Sequence, residues 1–372
     1  MTRTYFGIGC FNYGLNLEPP FKIKYVEELE KALQALPNIE NLNILISSKA
    51  DALEVEIDEE LPTIDQGEFS FMPVDISRIH LEIHLPQRVQ EDILAPLDIR
   101  PETYTTTFVV DTIYSYHCPV SFVELVGCSA KPKPSNAVII LREFFKNNIN
   151  GNQDNPILFE CLGPSPFHVN CSIEEARIVD DSEVFDYECK KTMRRGYDEM
   201  SFLYDSRTYG SIAEAKEEIY HAVFDELGFY YRVIQQDVHN MRDWQRIEGW
   251  TSDLIKGQQT TGLKRIGNRL FKQWRLVNDI YTALIEFESD GFFLDHTTQR
   301  DYKDTYIDDS SACFKEYVDI IITERVKYPT ESINALLNFF ESRRAKSVEL
   351  IILLFAGFIG GVIGSLITIL AK

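Results

Sequence analysis

The chain has 372 residues, 44% of them hydrophobic and 12% aromatic, and a formal net charge of −21. That length and apolar content suit a folded protein with a substantial core and exclude a disordered chain. The acidic balance opposes general nucleic-acid binding, which needs a basic surface.

The first part, residues 1–200, reads as a mixed α+β domain. Thr4–Phe11 is a short strand candidate. Tyr25–Leu36 has helical spacing, with Val26, Leu29, Leu33 and Leu36 on one face, and Pro37 ends it. Residues 41–47 and 52–58 read as strands joined by a polar turn. The clearest alternation follows: Ile79, Leu81, Ile83 and Leu85 point one way, His80, Glu82 and His84 the other. Residues 104–116 form a further β-rich run. A helix is expected over Ser135–Lys146 and a strand over 156–163. The charged stretch 172–200 receives no element.

From about residue 205 the period changes from two to 3.6, which places a domain boundary near 200. Ser211 and Glu214 form a capping box, and Ile212, Ala215, Ile219 and Ala222 share the following helical face. That helix is expected to run towards Trp244 and to break at Gly257–Gly262. A second long helix follows from Leu263 to about Phe287, then a polar loop from Arg300, then a third helix over Ala312–Val326. Pro329 suits the first turn of a last helix. Residues 201–346 therefore read as an α-helical bundle or stalk with coiled-coil-like contacts between chains.

Residues 347–371 complete the expected layout. Leu350–Ala371 carries no charge and is long enough for the roughly 30 Å of a bilayer core. It is expected to be a single C-terminal transmembrane helix. Arg343, Arg344 and Lys346 before it, against Lys372 after it, place the body in the cytoplasm, at the inner membrane if the source is bacterial. Seven cysteines, odd in number and irregularly spaced, fit reduced thiols in that compartment. Gly357 with Gly361, and Gly360 with Gly364, are overlapping pairs four residues apart. Such a strip lets a second helix approach closely, so a homo-oligomer is expected.

Several groups of side chains carry possible chemistry. His80, Glu82 and His84 share one strand face, where two imidazoles and a carboxylate can meet a metal ion. Cys161, His168, Cys171 and Cys189 are of zinc-ligand type, although their spacing matches no strong pattern. The solvated side of a strand and buried structural cysteines are the plainer readings of these two sets. Lys264, Arg265, Arg269, Lys272 and Arg275 lie on one side of the second long helix, a possible contact for an anionic surface, an acidic partner or the acidic side of the preceding helix. Asp301, Asp304, Asp308 and Asp309 do not fit a calcium loop and read as solvated. No GxSxG, HExxH or Walker-type motif is present, and no catalytic residue or cofactor is assigned. Gly7-Ile-Gly9 lacks the third glycine of a dinucleotide loop.

The expectation is a membrane-anchored, self-associating sensor, effector or interaction protein facing the cytoplasm, in a stress or defence setting, whose α+β domain binds an unknown ligand or partner. One alternative is a subunit of an oligomeric ion channel or transporter. The order of α+β domain, long helices and juxtamembrane helix resembles the layout of CorA-type divalent cation channels. The chain has one expected span and no Gly-Met-Asn, so that resemblance transfers no functional residue. The other alternative is an anchored metal-dependent enzyme using the histidine or cysteine sets.

Overall fold

A computed structural model describes residues 3–15, 21–46, 55–57, 76–114, 118–152, 155–176, 184–257, 273–307, 312–346, 349, 353 and 356. The chain divides into two compact units, Met1–Gln235 with Asp301–Glu324, and Gln236–Arg300 with Arg325–Lys372.

In chain order the elements are β1 (Arg3–Gly9), β2 (Phe11–Leu15), β3 (Phe21–Ile23), α1 (Tyr25–Gln34), β4 (Ile39–Ile46), β5 (Val55–Ile57), β6 (Ile76–His84) and α2 (Gln87–Leu94). There follow β7 (Thr107–Ile113), β8 (Val120–Val126), α3 (Pro134–Ile149), β9 (Ile157–Cys161), β10 (Val169–Glu175), β11 (Tyr187–Thr192) and β12 (Asp198–Tyr204). The helical part holds α4 (Ile212–Lys256), α5 (Gln273–Thr305), α6 (Lys315–Thr323) and α7 (330–346). A mixed α+β architecture is thus observed.

The first unit is built on an eight-stranded sheet in the order β11-β12-β10-β1-β8-β7-β6-β4. Its pairs are antiparallel except β10 with β12. Register fixes the two faces, because directly paired residues point the same way. Tyr5 pairs with Leu125 and Ser172, and Ser172 with Ser201, so one face carries Tyr5, Leu125, Ser172 and Ser201. Phe6, Phe122, Cys171 and Phe202 fall on the other.

Helix α3 covers part of the first face. Phe145 meets Phe11 and Phe159 at ring-centroid distances of 5.9 and 5.4 Å, within a core that also buries Leu81, Ile83, Phe108, Val110 and Val123. The Gly7-x-Gly9 pair has its explanation here. A β-carbon on Gly7 would lie 2.6 Å from the Pro134 carbonyl oxygen and 2.6 Å from Val138, so glycine lets α3 lie directly on β1. The opposite face buries Phe6, Phe122 and Phe202 against Ile219, Tyr220 and Val223 of α4, with Phe122 and Tyr220 stacked at 4.0 Å. The capping box forms as expected at one end and shifts at the other. Ser211 accepts from the Glu214 N–H, whereas Glu214 accepts from the N–H of Gly210.

The second unit gathers Trp244, Ile247 and Leu254 of α4, Val277, Ile280 and Leu284 of α5, and Leu337 and Phe340 of α7 into one apolar cluster. The apolar stripes of these helices thus meet inside one chain. The expected polar loop from Arg300 begins as helix: α5 runs to Thr305, and Asp301 is buried and paired with Arg232 at 2.6 Å. The third helix is shorter than expected, ending at Thr323.

One correction is larger. Among the described residues no helix is long and apolar enough to cross a membrane, so none of them supplies the expected single-pass C-terminal anchor. The stretch expected to form it, Leu350–Ala371, lies outside the described residues apart from residues 353 and 356. The longest helix among the described residues, α4, has 45 residues but carries charge along its whole length. Gly357, Gly360, Gly361 and Gly364, on which close helix packing was expected, lie outside the described residues.

Candidate anion-binding pocket

The expected metal sets do not converge. His80 on β6 places Nδ1 2.8 Å from Asp111 Oδ1, Glu82 accepts from the Asn41 side chain at 2.9 Å, and His84 Nδ1 lies 3.3 Å from Thr107 Oγ1. Each side chain has its own partner along the strand. The Asp111 hydrogen bond raises the His80 pKa against desolvation, and nearby Arg78 and Lys216 oppose it. Burial pushes the Asp111 carboxyl up, yet His80 and Arg78 outweigh that and hold it below the ordinary range. Arg78 also makes a forked contact with Glu217 of α4 at 2.9 and 3.0 Å, a geometry suited to guanidinium and carboxylate. This group ties sheet to helix.

The sulfur set comes together only in part. Cys161 packs with the core under α3, Cys171 is buried on the other side of the sheet, and His168 is exposed. Cys189 lies on the same face as Cys171, whose thiol is raised by burial and by nearby Cys189, and it hydrogen-bonds Cys313, whose thiol is raised by that bond and by burial. Among the described residues no group of three or more His, Cys, Asp or Glu side chains is placed to hold a metal ion. Of the basic set, Lys264, Arg265, Arg269 and Lys272 lie outside the described residues, and Arg275 is an exposed residue of α5.

What the fold does build is a cavity of about 460 Å³ on the α3 side of the sheet. Its floor is Arg3, Tyr5, Asn170, Ser172, Glu199 and Ser201, on neighbouring strands β1, β10 and β12. One wall is the start of α3 with the preceding segment Lys131-Pro132-Lys133, and the rim is the β11–β12 hairpin with Arg194, Arg195, Gly196 and Tyr197. Lys133 stands at the N-cap position of α3 and makes no capping bond there. Asn170 supplies it from another strand: its Oδ1 accepts from the Ser135 N–H at 2.8 Å. Gly196 has φ +101°, a conformation that favours glycine at the hairpin tip.

Five cations thus face one cavity in a chain of net charge −21. Lys131 reaches Glu199 at 2.8 Å, Arg194 reaches Glu199 at 3.5 Å, Lys133 reaches Glu102 at 2.8 Å and Arg3 reaches Glu174 at 3.6 Å. Arg195 has no ion-pair partner among the described residues. The hydrogen bond from Lys131, with Arg194 nearby, holds the Glu199 carboxyl below its ordinary range despite partial burial, so it is ionised at neutral pH. Pairs as exposed as Lys131 and Glu199, at 55% and 34%, are typically worth about 0–1 kcal/mol. An incoming anion can compete with them. Arg3 also donates to Ser172 and Ser201 at 2.8 and 3.2 Å, which fixes its head over the floor.

Sequence reasoning missed this site because its cations come from three distant segments. The available signal was weak: Lys131-Pro-Lys133 and Arg194-Arg195 are local basic pairs in an acidic chain, and 172–200 had received no element. The chain matches no family model, no curated protein and no solved structure.

Proposed function

We propose that this chain is a non-enzymatic ligand-binding protein, a sensor or effector module whose α+β unit takes a small anion at the β1–β10–β12 pocket. The observation that carries this reading is the gathering of Arg3, Lys131, Lys133, Arg194 and Arg195 around one cavity of an otherwise acidic protein. Coulomb attraction in a partly walled cleft is stronger than on open surface, and the start of a 16-residue helix adds a favourable field for negative charge. The cavity lies within the range of roughly 300–1,000 Å³ usual for small-molecule sites.

The test is calorimetric titration of the full chain with ribose 5-phosphate and with ribose. Binding of the phosphate ester alone, weakening with added salt and lost in a Lys131→Ala, Lys133→Ala, Arg195→Ala triple variant, is the expected result. Equal affinity for the two sugars, or no binding of either, rejects the reading.

A further inference from the structure

The cavity wall is not uniformly charged. Beside the five cations stand Tyr5, Tyr197, Ile99, Ile139, Pro132 and Pro134. A bare inorganic anion would use the cations and leave this apolar part wet, so the wall as a whole matches a ligand with an anionic end and a flat, unsaturated body. Accepting the anion site proposed above, we infer that its ligand is a nucleoside monophosphate.

Charge sets the number of phosphates. Against the five cations stand Glu102, Glu174 and Glu199, leaving a surplus of two positive charges. A single phosphate ester carries about −1.5 to −2 at neutral pH, whereas a triphosphate would bring an excess that these side chains do not balance. Shape sets the rest. Arg3 already lies over the Tyr5 ring, its guanidinium carbon 5.1 Å from the centroid, so that ring is engaged. Tyr197 is half-buried at the rim, with His168 a tilted 6.1 Å away, and it is the ring left for a base to stack on. Burial pushes its phenol up, against Arg142, so the ring stays neutral. Aromatic stacking of a base is worth roughly 1–3 kcal/mol, which corresponds to about five- to 150-fold in affinity.

The experiment titrates the full chain with AMP, GMP, CMP and UMP beside ribose 5-phosphate. The expected result is that at least one nucleotide binds ten times more tightly than ribose 5-phosphate. That ratio should fall to near one in Tyr197→Ala and survive in Tyr197→Phe, with residual ribose 5-phosphate binding reporting that the variants are folded. If no nucleotide exceeds ribose 5-phosphate tenfold, or the ratio survives Tyr197→Ala, the nucleotide inference is overturned while the anion site stands. If ribose 5-phosphate itself fails to bind, the anion reading falls first.

Discussion

The α3-side face of the large sheet has two halves that obey the same alternation and end in opposite environments. Over β6, β7 and β8 the side chains are Leu81, Ile83, Phe108, Val110, Val123 and Leu125, all fully enclosed. Over β10 and β12 they are Asn170, Ser172, Glu199 and Ser201, which floor the cavity. The opposite faces of β10 and β12 are as apolar as any strand in the unit, with Cys171, Ile173, Met200 and Phe202 buried. The polarity of the floor is therefore a property of one face of these strands, and it marks where helical cover stops. A sheet face left uncovered needs side chains that water or a ligand can satisfy.

Substitutions in the two halves should separate stability from binding. The largest loss is expected from Phe145→Ala on the covered half. It removes a ring at the centre of the aromatic cluster and should cost about 3–5 kcal/mol in urea unfolding. A cost under 1 kcal/mol would mean that the covered half is not tightly packed. Next comes Gly7→Val, which drives a side chain into the Pro134 carbonyl and Val138; overpacking of this kind costs about 1–3 kcal/mol. Its thermal unfolding midpoint should drop, and an unchanged midpoint would contradict the close approach of α3 to β1.

Asn170→Ala sits where the halves join. It leaves the Ser135 N–H without its acceptor and should cost about 0.5–2 kcal/mol, as loss of a helix cap does. On the open half, Glu199→Gln should change stability by no more than about 0.5 kcal/mol, because its partners are exposed. The same change should tighten ribose 5-phosphate binding at least threefold by freeing Lys131 and Arg194. Weaker binding would show that Glu199 helps to hold the ligand.

The smallest effect concerns pH on the opposite face. His80 has a folded pKa raised above the ordinary 6.5, so the charged imidazole stabilises the fold. That contribution is fully present below 6.5 and fades as pH rises through the higher folded value. His80→Gln should flatten this part of the stability curve; an identical slope in the variant would remove His80 as its source.

Local patterning was informative wherever one side of an element meets a single environment. The α1 stripe of Leu29 and Leu33, the β6 alternation and the Ser211–Glu214 cap all stood in the sequence and formed in the structure. The stretch 172–200 was opaque because β11 and β12 carry many charges, and charge masks an alternation that only the buried face of Met200 and Phe202 reveals. The end of α5 was misplaced for a related reason. Asp301 looks like loop chemistry until Arg232, 69 positions away, is placed beside it.

The sequence alone determined the mixed α+β class, the acidic surface and most of the regular elements, because periodicity and capping act over a few residues. It also supplied the residue types of both metal hypotheses, but side chains of the right kind make a site only when the chain aims them at one point. Tertiary structure decided that Gly7 and Gly9 serve the seating of a helix, that His80 and His84 each take a partner of their own, that Cys161 sits apart from Cys171 and Cys189, and that five cations from three segments face one cavity. Those outcomes depend on contacts between residues tens to nearly two hundred positions apart, where strand order and register, not neighbouring residues, set the geometry.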